Sequence, residues 1–323
     1  MEYRNYRVTR DDDDRRLDRI IRKFLPGVPL SAVYRLLRSG LIRVDGSRAK
    51  PDSRVRDGQT IMIAEALGRD ASGRAEDTRP EDDGVAVSEQ EGFRESGIRV
   101  LLETPDILVV NKPAGMPVHG EGGIDAVIPQ APGARDSLSF RTAPLHRLDK
   151  GTTGLLVLSR SLAGARWFSS AIAENGVGKE YVGLAEGRMQ NEEEWSGIDE
   201  SGRLMTTIAR PIASAPNTGR RGVTLVSYRI LTGRKHQIRI QTSEHDHPLI
   251  GDVRYGGERR APAGDGVWLL HSWKLAFPPE RPAGIPDKLT APLPRAFARV
   301  ILDTFGPNVL ALFDNDDLYC ERT

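Results

Sequence analysis

Cysteine is nearly absent from this 323-residue chain; the single one, Cys320, lies close to the end. No internal disulfide framework and no cysteine-built zinc site can therefore form. Net charge is almost lacking as well, with Lys+Arg 46 against Asp+Glu 45, which removes any whole-chain electrostatic argument for a polyanion partner. No apolar run is long enough to span a bilayer, and the opening MEYRNYRVTRDDDD holds no apolar core of the kind a secretory signal needs. A soluble, cytoplasmic protein with no membrane association is the expectation. His245 and His247 form an HxH pair without a third ligand at a recognisable metal spacing, so no metal is expected.

What charge there is turns out to be segregated. Arg15 to Thr60 carries twelve Lys/Arg against four Asp, whereas Asp70 to Glu95 holds nine acidic residues. A basic block of this kind is a candidate footprint for a polyanion, set against the plainer reading of a solvated Arg-rich surface. Leu17, Ile20, Ile21, Phe24 and Leu25 recur at helical spacing and predict an amphipathic helix that Pro26-Gly27 stops. A second helix follows, with Ser31 as its expected cap, Val33, Leu36 and Leu37 as its apolar stripe, and Gly40 as its terminator. Short strands are expected at Ile42-Val44 and Ile61-Ile63, next to Asp-Gly turn signals. Arg35, Arg38 and Arg43 are candidate phosphate contacts, because arginines on such a unit can hold RNA without reading its sequence. The stretch PLSAVYRLLRSGLIRVDGSRAKPDSRVRDGQTI resembles the alpha-L (S4-like) RNA-binding module first described in a small-subunit ribosomal protein, and residues 13–66 are assigned to it.

Residues 67–97, rich in Gly, acids and small polar side chains, read as an acidic linker. From Ile98 the pattern turns strand-like. IRVLLE, ILVVNKPAG, GLLVLSR, KEYVGLAEG, GVTLVSYRILTGRKHQIRIQ and LLHSWKLAF are short or alternating apolar runs, with Thr232-Gly233 as an expected hairpin turn. SLAGARWFSSAIAENG reads as a helix between Ser161 and Asn175-Gly176. The regular β-α-β rhythm of a parallel sheet is missing. The fold class expected is therefore α+β: a large mixed, mainly antiparallel sheet flanked by helices and loops over 98–303, a small N-terminal RNA-binding domain, and an acidic tail at 304–323.

LHRLDKGTTGLLVLSR places Asp149 beside an apolar strand, where a carboxylate is costly to keep charged without a cation. Read as a strand, HQIRIQ puts Ile238 and Ile240 on one side and Arg239 on the other, which offers a guanidinium to Asp149. On composition alone a structural ion pair is the safer reading. However, HRLDKGTTG, with DILVVNKPAGMPVHG upstream and GRKHQIRIQ and HPLIGDVRYGG downstream, resembles in order and content the RluA family of RNA pseudouridine synthases. With the basic module in front, the resemblance is to its RluC/RluD branch, which acts on large-subunit (23S) ribosomal RNA.

The resemblance implies a cofactor-free isomerase that flips a uridine and turns its base on the ribose. Asp149 would be the catalytic aspartate, adding to the sugar or assisting a glycal intermediate. Tyr181 would stack on uracil and help remove its C5 proton, and Arg239 would pair with the aspartate. Arg147 would fill the place left by the flipped nucleotide. His146 is expected to shape the loop or touch RNA, while Lys112, Pro113 and Gly115 shape the cleft. Lys179, Arg234, Lys235 and His236 are candidate phosphate contacts. Gly151 departs from the acidic residue often found there, and residues 195–222 match the family poorly. Three other readings stand beside this one: a glycosidic-bond hydrolase, which wants a second carboxyl group; a non-catalytic RNA-binding or ribosome-assembly factor; and a pseudouridine synthase acting on transfer RNA. RNA is the expected partner, with no obligate protein partner.

Overall fold

The computed structural model describes residues 2–25, 27–64, 93, 96–127, 137–138, 140–216, 222–258 and 267–313. The linker expected over 67–97 lies outside these apart from 93, 96 and 97, and Cys320 and residues 314–323 of the expected acidic tail lie outside them too. Described residues fall into two compact units.

The first unit joins residues 2–64 to the short segments 137–138, 140–142 and 161–163, which the sequence reading had assigned to 98–303. The buried Asp12 carboxylate explains part of that recruitment. It accepts from Ser137 Oγ at 3.0 Å and Leu138 N at 2.9 Å, while Leu138 packs on the unit's apolar core. Elements run β1 (Tyr3–Arg7), α1 (Leu17–Phe24), α2 (Leu30–Ser39), β2 (Ile42–Val44), β3 (Ser47–Arg48) and β4 (Thr60–Ala64). Strand order is β1-β4-β2-β3, with antiparallel pairs throughout. Leu17, Ile20, Ile21, Val33 and Leu37 are all fully buried, so the apolar stripes read from spacing are the helix faces that pack. Arg35 and Arg38, three apart on α2, are exposed.

Two local expectations change. α2 begins at Leu30 after Pro29, whose pre-set φ suits a helix entry, so Ser31 sits inside the first turn and makes no cap. β1 was missed, because YRNYR is an edge strand without apolar alternation.

The second unit contains β5 (Arg99–Glu103), β6 (Ile107–Lys112), α3 (Ile124–Val127), β7 (Thr153–Ser159), most of α4 (Leu162–Ala173), β8 (Gly178–Glu186), β9 (Glu193–Ile198), β10 (Leu204–Ala215) and β11 (Val223–Ile230). After them come α5 (Gln237–Glu244), β12 (Leu270–Ala276), β13 (Lys288–Thr290), α6 (Arg295–Phe305) and α7 (Pro307–Leu310). One sheet holds all nine strands in the order β5-β6-β7-β12-β8-β11-β10-β9, with β13 also pairing β12. Among the described strands only β7 and β12 pair in parallel.

Alternation sorts the side chains into two layers. Leu155, Val157, Val182, Leu184 and Leu225 meet α4 and α6 through Phe168, Ala171, Phe297 and Ile301. Leu156, Leu158, Tyr181, Val226 and Tyr228 turn to the other face, where Ile238 of α5 packs. All seven residues of β7 are buried, which is why its sequence is a continuous apolar run.

The β7-β12 junction carries a buried imidazole. His271 Nδ1 lies 2.7 Å from Thr153 Oγ1 and Nε2 3.2 Å from the Ala291 carbonyl, and burial pushes its pKa down to about 4. In the unfolded chain the ring takes a proton near 6.5. The folded state is thus favoured above that value and loses this contribution as pH falls towards 4. At about 1.4 kcal/mol per unit the loss is on the order of 3 kcal/mol. We expect the thermal midpoint to drop between about pH 6 and pH 4, and His271→Gln to flatten that drop while lowering stability at neutral pH. An equally steep acid drop in the variant would assign it elsewhere.

Candidate active site

The loop that carries Asp149 lies ahead of β7 and is fixed mainly through its backbone. Thr152 N donates to the Asp149 carbonyl at 3.1 Å, and the Lys150 carbonyl accepts from Gly115 N at 2.9 Å. Lys112, fully buried at the end of β6, sends its ammonium to the carbonyls of Pro113 at 2.9 Å, Met116 at 2.8 Å and Lys150 at 3.2 Å. Burial pushes that ammonium down to about 8, against the pull of the Asp149 charge. The loop-shaping part expected of the NKPAG segment is what this geometry performs.

His146 binds the same loop to the sheet, its Nε2 accepting from Val157 N at 3.0 Å. Burial, reinforced by the Lys179 charge, pushes it down to about 4, so the ring is neutral at pH 7. The loop-shaping reading of His146 fits this bond. Asp149 itself lies in the turn four residues before β7 begins, beside that apolar strand and not within it.

Arg239 corrects an expectation. Residues 237–244 form the helix α5 rather than a strand, and no hairpin follows Thr232-Gly233. The cause of the misreading is burial on nearly every side: Gln237, Ile238, Arg239, Gln241 and Thr242 are all buried, so no polar face marks the helical period. Those polar side chains find partners beneath the helix. Gln241 Oε1 accepts from Thr207 Oγ1 at 2.7 Å, Gln237 Nε2 donates to Thr206 O at 3.0 Å, and Gln237 Oε1 accepts from Thr232 Oγ1 at 2.8 Å. Such a satisfied network fixes the helix and hence the arginine it carries.

The Arg239 guanidinium points its Nη1 at Asp149 Oδ2, 3.4 Å away. Its stronger bonds go elsewhere. Nε meets Asp252 Oδ2 at 2.6 Å and Nη2 meets Asp252 Oδ1 at 2.8 Å, a bidentate pair. Trp268 lies under the guanidinium at 3.5 Å from its ring centroid, and Tyr255 at 4.8 Å. Burial alone would lower the Arg239 pKa, but Asp252 and then Asp149 outweigh it, so the cation is secure. Asp252, Tyr255 and Trp268 were given no part by sequence reasoning; the signal available was HPLIGDVRYGG, an aspartate and a tyrosine held between glycines.

His236 precedes α5 in the left-handed region, φ 57 and ψ 18, where histidine is found more readily than most residues. Its Nε2 lies 3.7 Å from Asp149 Oδ1 and its Nδ1 2.9 Å from the Tyr255 hydroxyl. Burial lowers its pKa, partly offset by the Asp149 charge. Tyr181, on β8, is nearly covered; burial pushes its phenol up to about 12, the Asp149 charge adding to the rise and Ser272 opposing it.

These groups line one cavity of about 580 Å³, within the range of small-ligand sites. Asp149, Tyr181, Arg239, Arg147, His146, Lys179, Arg234, Lys235 and His236 all border it, whereas Lys112, Pro113 and Gly115 do not. Arg147 and Lys235 are exposed at its rim. Arg234 has a structural bond as well, its Nε donating to Leu204 O at 3.2 Å. Burial lowers the Lys179 ammonium. His245 and His247 lie elsewhere, the first stacked on Trp195 at 4.6 Å, the second with Nδ1 2.8 Å from Glu186 O. Among the cavity's residues are five Lys/Arg and a single carboxylate, Asp149. Such a lining is chemically suited to holding a polyanion beside a single carboxylate.

A family model described as RNA pseudouridylate synthase matches residues 106–244, and one described as S4 domain matches residues 15–61. Ribosomal large subunit pseudouridine synthase C of Escherichia coli (strain K12) is 31% identical over 290 residues, covering 84% of this chain and 87% of that protein. Its namesake in Haemophilus ducreyi is 28% identical over 309 residues, covering 89% and 91%. Among solved structures, human RNA pseudouridylate synthase domain containing 4 superposes with a TM-score of 0.51 at 24% identity, over 63% of this chain and 91% of that one. Human RNA pseudouridylate synthase domain containing 1 gives 0.50 at 22%, over 61% and 84%, and both likenesses concern the fold. With ordered motifs, a cationic cavity around one carboxylate and relatives aligned over most of the chain, the protein belongs to the RluA family of RNA pseudouridine synthases and carries an S4 domain at its N-terminal end.

Proposed function

We propose that this chain isomerises uridine to pseudouridine in large-subunit ribosomal RNA in the cytoplasm, and that Asp149 is the reacting carboxylate. The observation that carries the reading is the solitary carboxylate in a cavity whose lining includes five Lys/Arg. Isomerisation breaks the C1′–N1 bond, joins C5 to C1′, releases the C5 proton and protonates N1. A single carboxylate suffices for this, whether it adds to the ribose or assists a glycal. Hydrolysis of a glycosidic bond calls for a second carboxyl group to protonate the leaving group, and none lines this cavity among the described residues.

The remaining roles follow from position. Tyr181 is held as a neutral phenol and acts by contact with the uracil face rather than as a phenolate base. Arg147, exposed at the rim, occupies the space a flipped nucleotide leaves in its helix, offsetting part of an unstacking cost of a few kcal/mol. Lys179 and Lys235 meet phosphates. No helix among the described residues is long and apolar enough to cross a membrane.

Mapping pseudouridines at nucleotide resolution in cells lacking the protein tests the reading. Specific large-subunit sites should disappear and return with the wild type but not with Asp149→Asn; losses confined to transfer RNA would overturn the substrate.

The S4 domain predicts a further result. Arg35 and Arg38 are exposed on one side of α2. Changing both to glutamine should weaken RNA binding and reduce the slope of log affinity against log salt by about 1.5, since each phosphate contact contributes about 0.7 to 0.9. An unchanged slope in filter-binding titrations would remove these arginines from the interface.

A further inference from the structure

Between Leu249 and Gly257 the backbone folds tightly around Asp252. Asp252 N donates to Leu249 O at 3.0 Å, and its carbonyl accepts from Tyr255 N at 3.0 Å and Gly257 N at 2.9 Å. A Cβ on Gly257 would lie 2.1 Å from Leu249 O and 3.1 Å from Asp252 N, so a side chain there would force the loop open. The aspartate so held is 1% exposed, and both its oxygens are on Arg239.

This division of the guanidinium has a chemical consequence. An arginine beside an otherwise free carboxylate takes both oxygens with its fork. Here the paired edge faces Asp252, and Asp149 receives one long contact of 3.4 Å. Asp252 also balances the arginine's charge, so the pair offers Asp149 orientation without full ion pairing. Trp268 braces the arrangement, its indole Nε1 donating to Thr152 Oγ1 at 3.0 Å while its ring supports the guanidinium. Four groups face the Asp149 charge: Arg239 and His236 from the α5 end, Lys112 from β6 and Tyr181 from β8. Lys112 is tied by three carbonyls and His236 by Tyr255, which leaves Arg239 as the cation whose aim Asp252 decides.

We propose that Asp252 is a positioning residue that holds Arg239 back from Asp149, leaving the reacting carboxylate oriented and ionised but with its oxygens open to the ribose. The proposal rests on the reading of Asp149 as the reacting group.

Asp252→Asn tests it in the full chain, by single-turnover tritium release from C5-labelled RNA between about pH 5 and pH 9, alongside RNA affinity. Without its partner Arg239 closes on Asp149. The rate should fall on the order of 10²-fold, as for a misplacement of about 1 Å, while affinity stays within about twofold. The acid-side limb of the rate profile should move to lower pH, because a fully paired carboxylate holds its charge further into acid. Because Asp252 acts through the arginine fork, adding Asp252→Asn to Arg239→Lys should cost much less than it costs the wild type. Additive losses with an unmoved acid limb would reduce Asp252 to a loop support and overturn the proposal, as would a wild-type rate. Should Asp252→Asn not fold, Asp252→Glu carries the test: the acid limb stays in place while the rate drops, and an unchanged rate overturns the proposal. Asp149→Asn is measured in parallel. Activity surviving there sinks the underlying reading; its loss beside a wild-type-like Asp252→Asn sinks only this proposal.

Discussion

Asp149→Asn should lose at least about 10³-fold in the rate of tritium release from C5-labelled uridine RNA, the scale seen when a reacting group is removed from a site that otherwise stays assembled. Asparagine keeps the size and the loop. What disappears is the charge that, in the proposed reaction, either joins the sugar or accepts its proton. RNA affinity should survive, since Arg147, Lys179, Arg234 and Lys235 still rim the cavity and the S4 domain is untouched. The thermal midpoint should hardly move, because the carboxylate's contacts are long, 3.4 Å to Arg239 and 3.7 Å to His236. Tritium release within about tenfold of the wild type would show that the chemistry belongs to another group.

Arg239→Met should damage both chemistry and stability, and for separate reasons. Methionine fills much of the arginine's volume but leaves Asp252, 1% exposed, as a buried charge with no cation on it. Breaking a buried pair from one side costs about 3 to 5 kcal/mol. In a unit of this size that corresponds to a thermal midpoint lower by roughly 10 °C. The rate should fall by about 10²-fold to 10³-fold as well, because Asp149 loses the cation that orients it. Combining Arg239→Met with Asp252→Asn removes the unpaired charge, so stability should recover in part while the rate does not. A double variant as unstable as Arg239→Met alone would mean that the cost comes from packing against Trp268 and Tyr255, not from Asp252.

Asp149 and Tyr181 could be singled out from the sequence only through the ordered motifs around them, since an apolar run beside a lone acid reads locally as a structural ion pair and a tyrosine on an alternating strand as a core aromatic. The helices of the S4 domain were legible locally, because their polar faces meet water and leave a period in the sequence. α5 was not. Its polar residues bond downward to Thr206, Thr207 and Thr232, so a buried helix imitates a strand of alternating isoleucine. Asp252 escaped notice because its importance lies in a partner thirteen residues away across a turn, which the spelling HPLIGDVRYGG does not announce. The recruitment of 137–138 by Asp12 was equally invisible, being a contact over more than a hundred residues that turns on one carboxylate.

β12 enters the sheet between β7 and β8, bridging the strand that follows Asp149 to the strand that bears Tyr181. Until residues 270–276 have left the ribosome, those two strands have no common neighbour, and each presents an open edge where its partner belongs. The cavity around Asp149 therefore cannot form until synthesis has passed Ala276, and a protein cut short ahead of Leu270 would expose adhesive strand edges in its place.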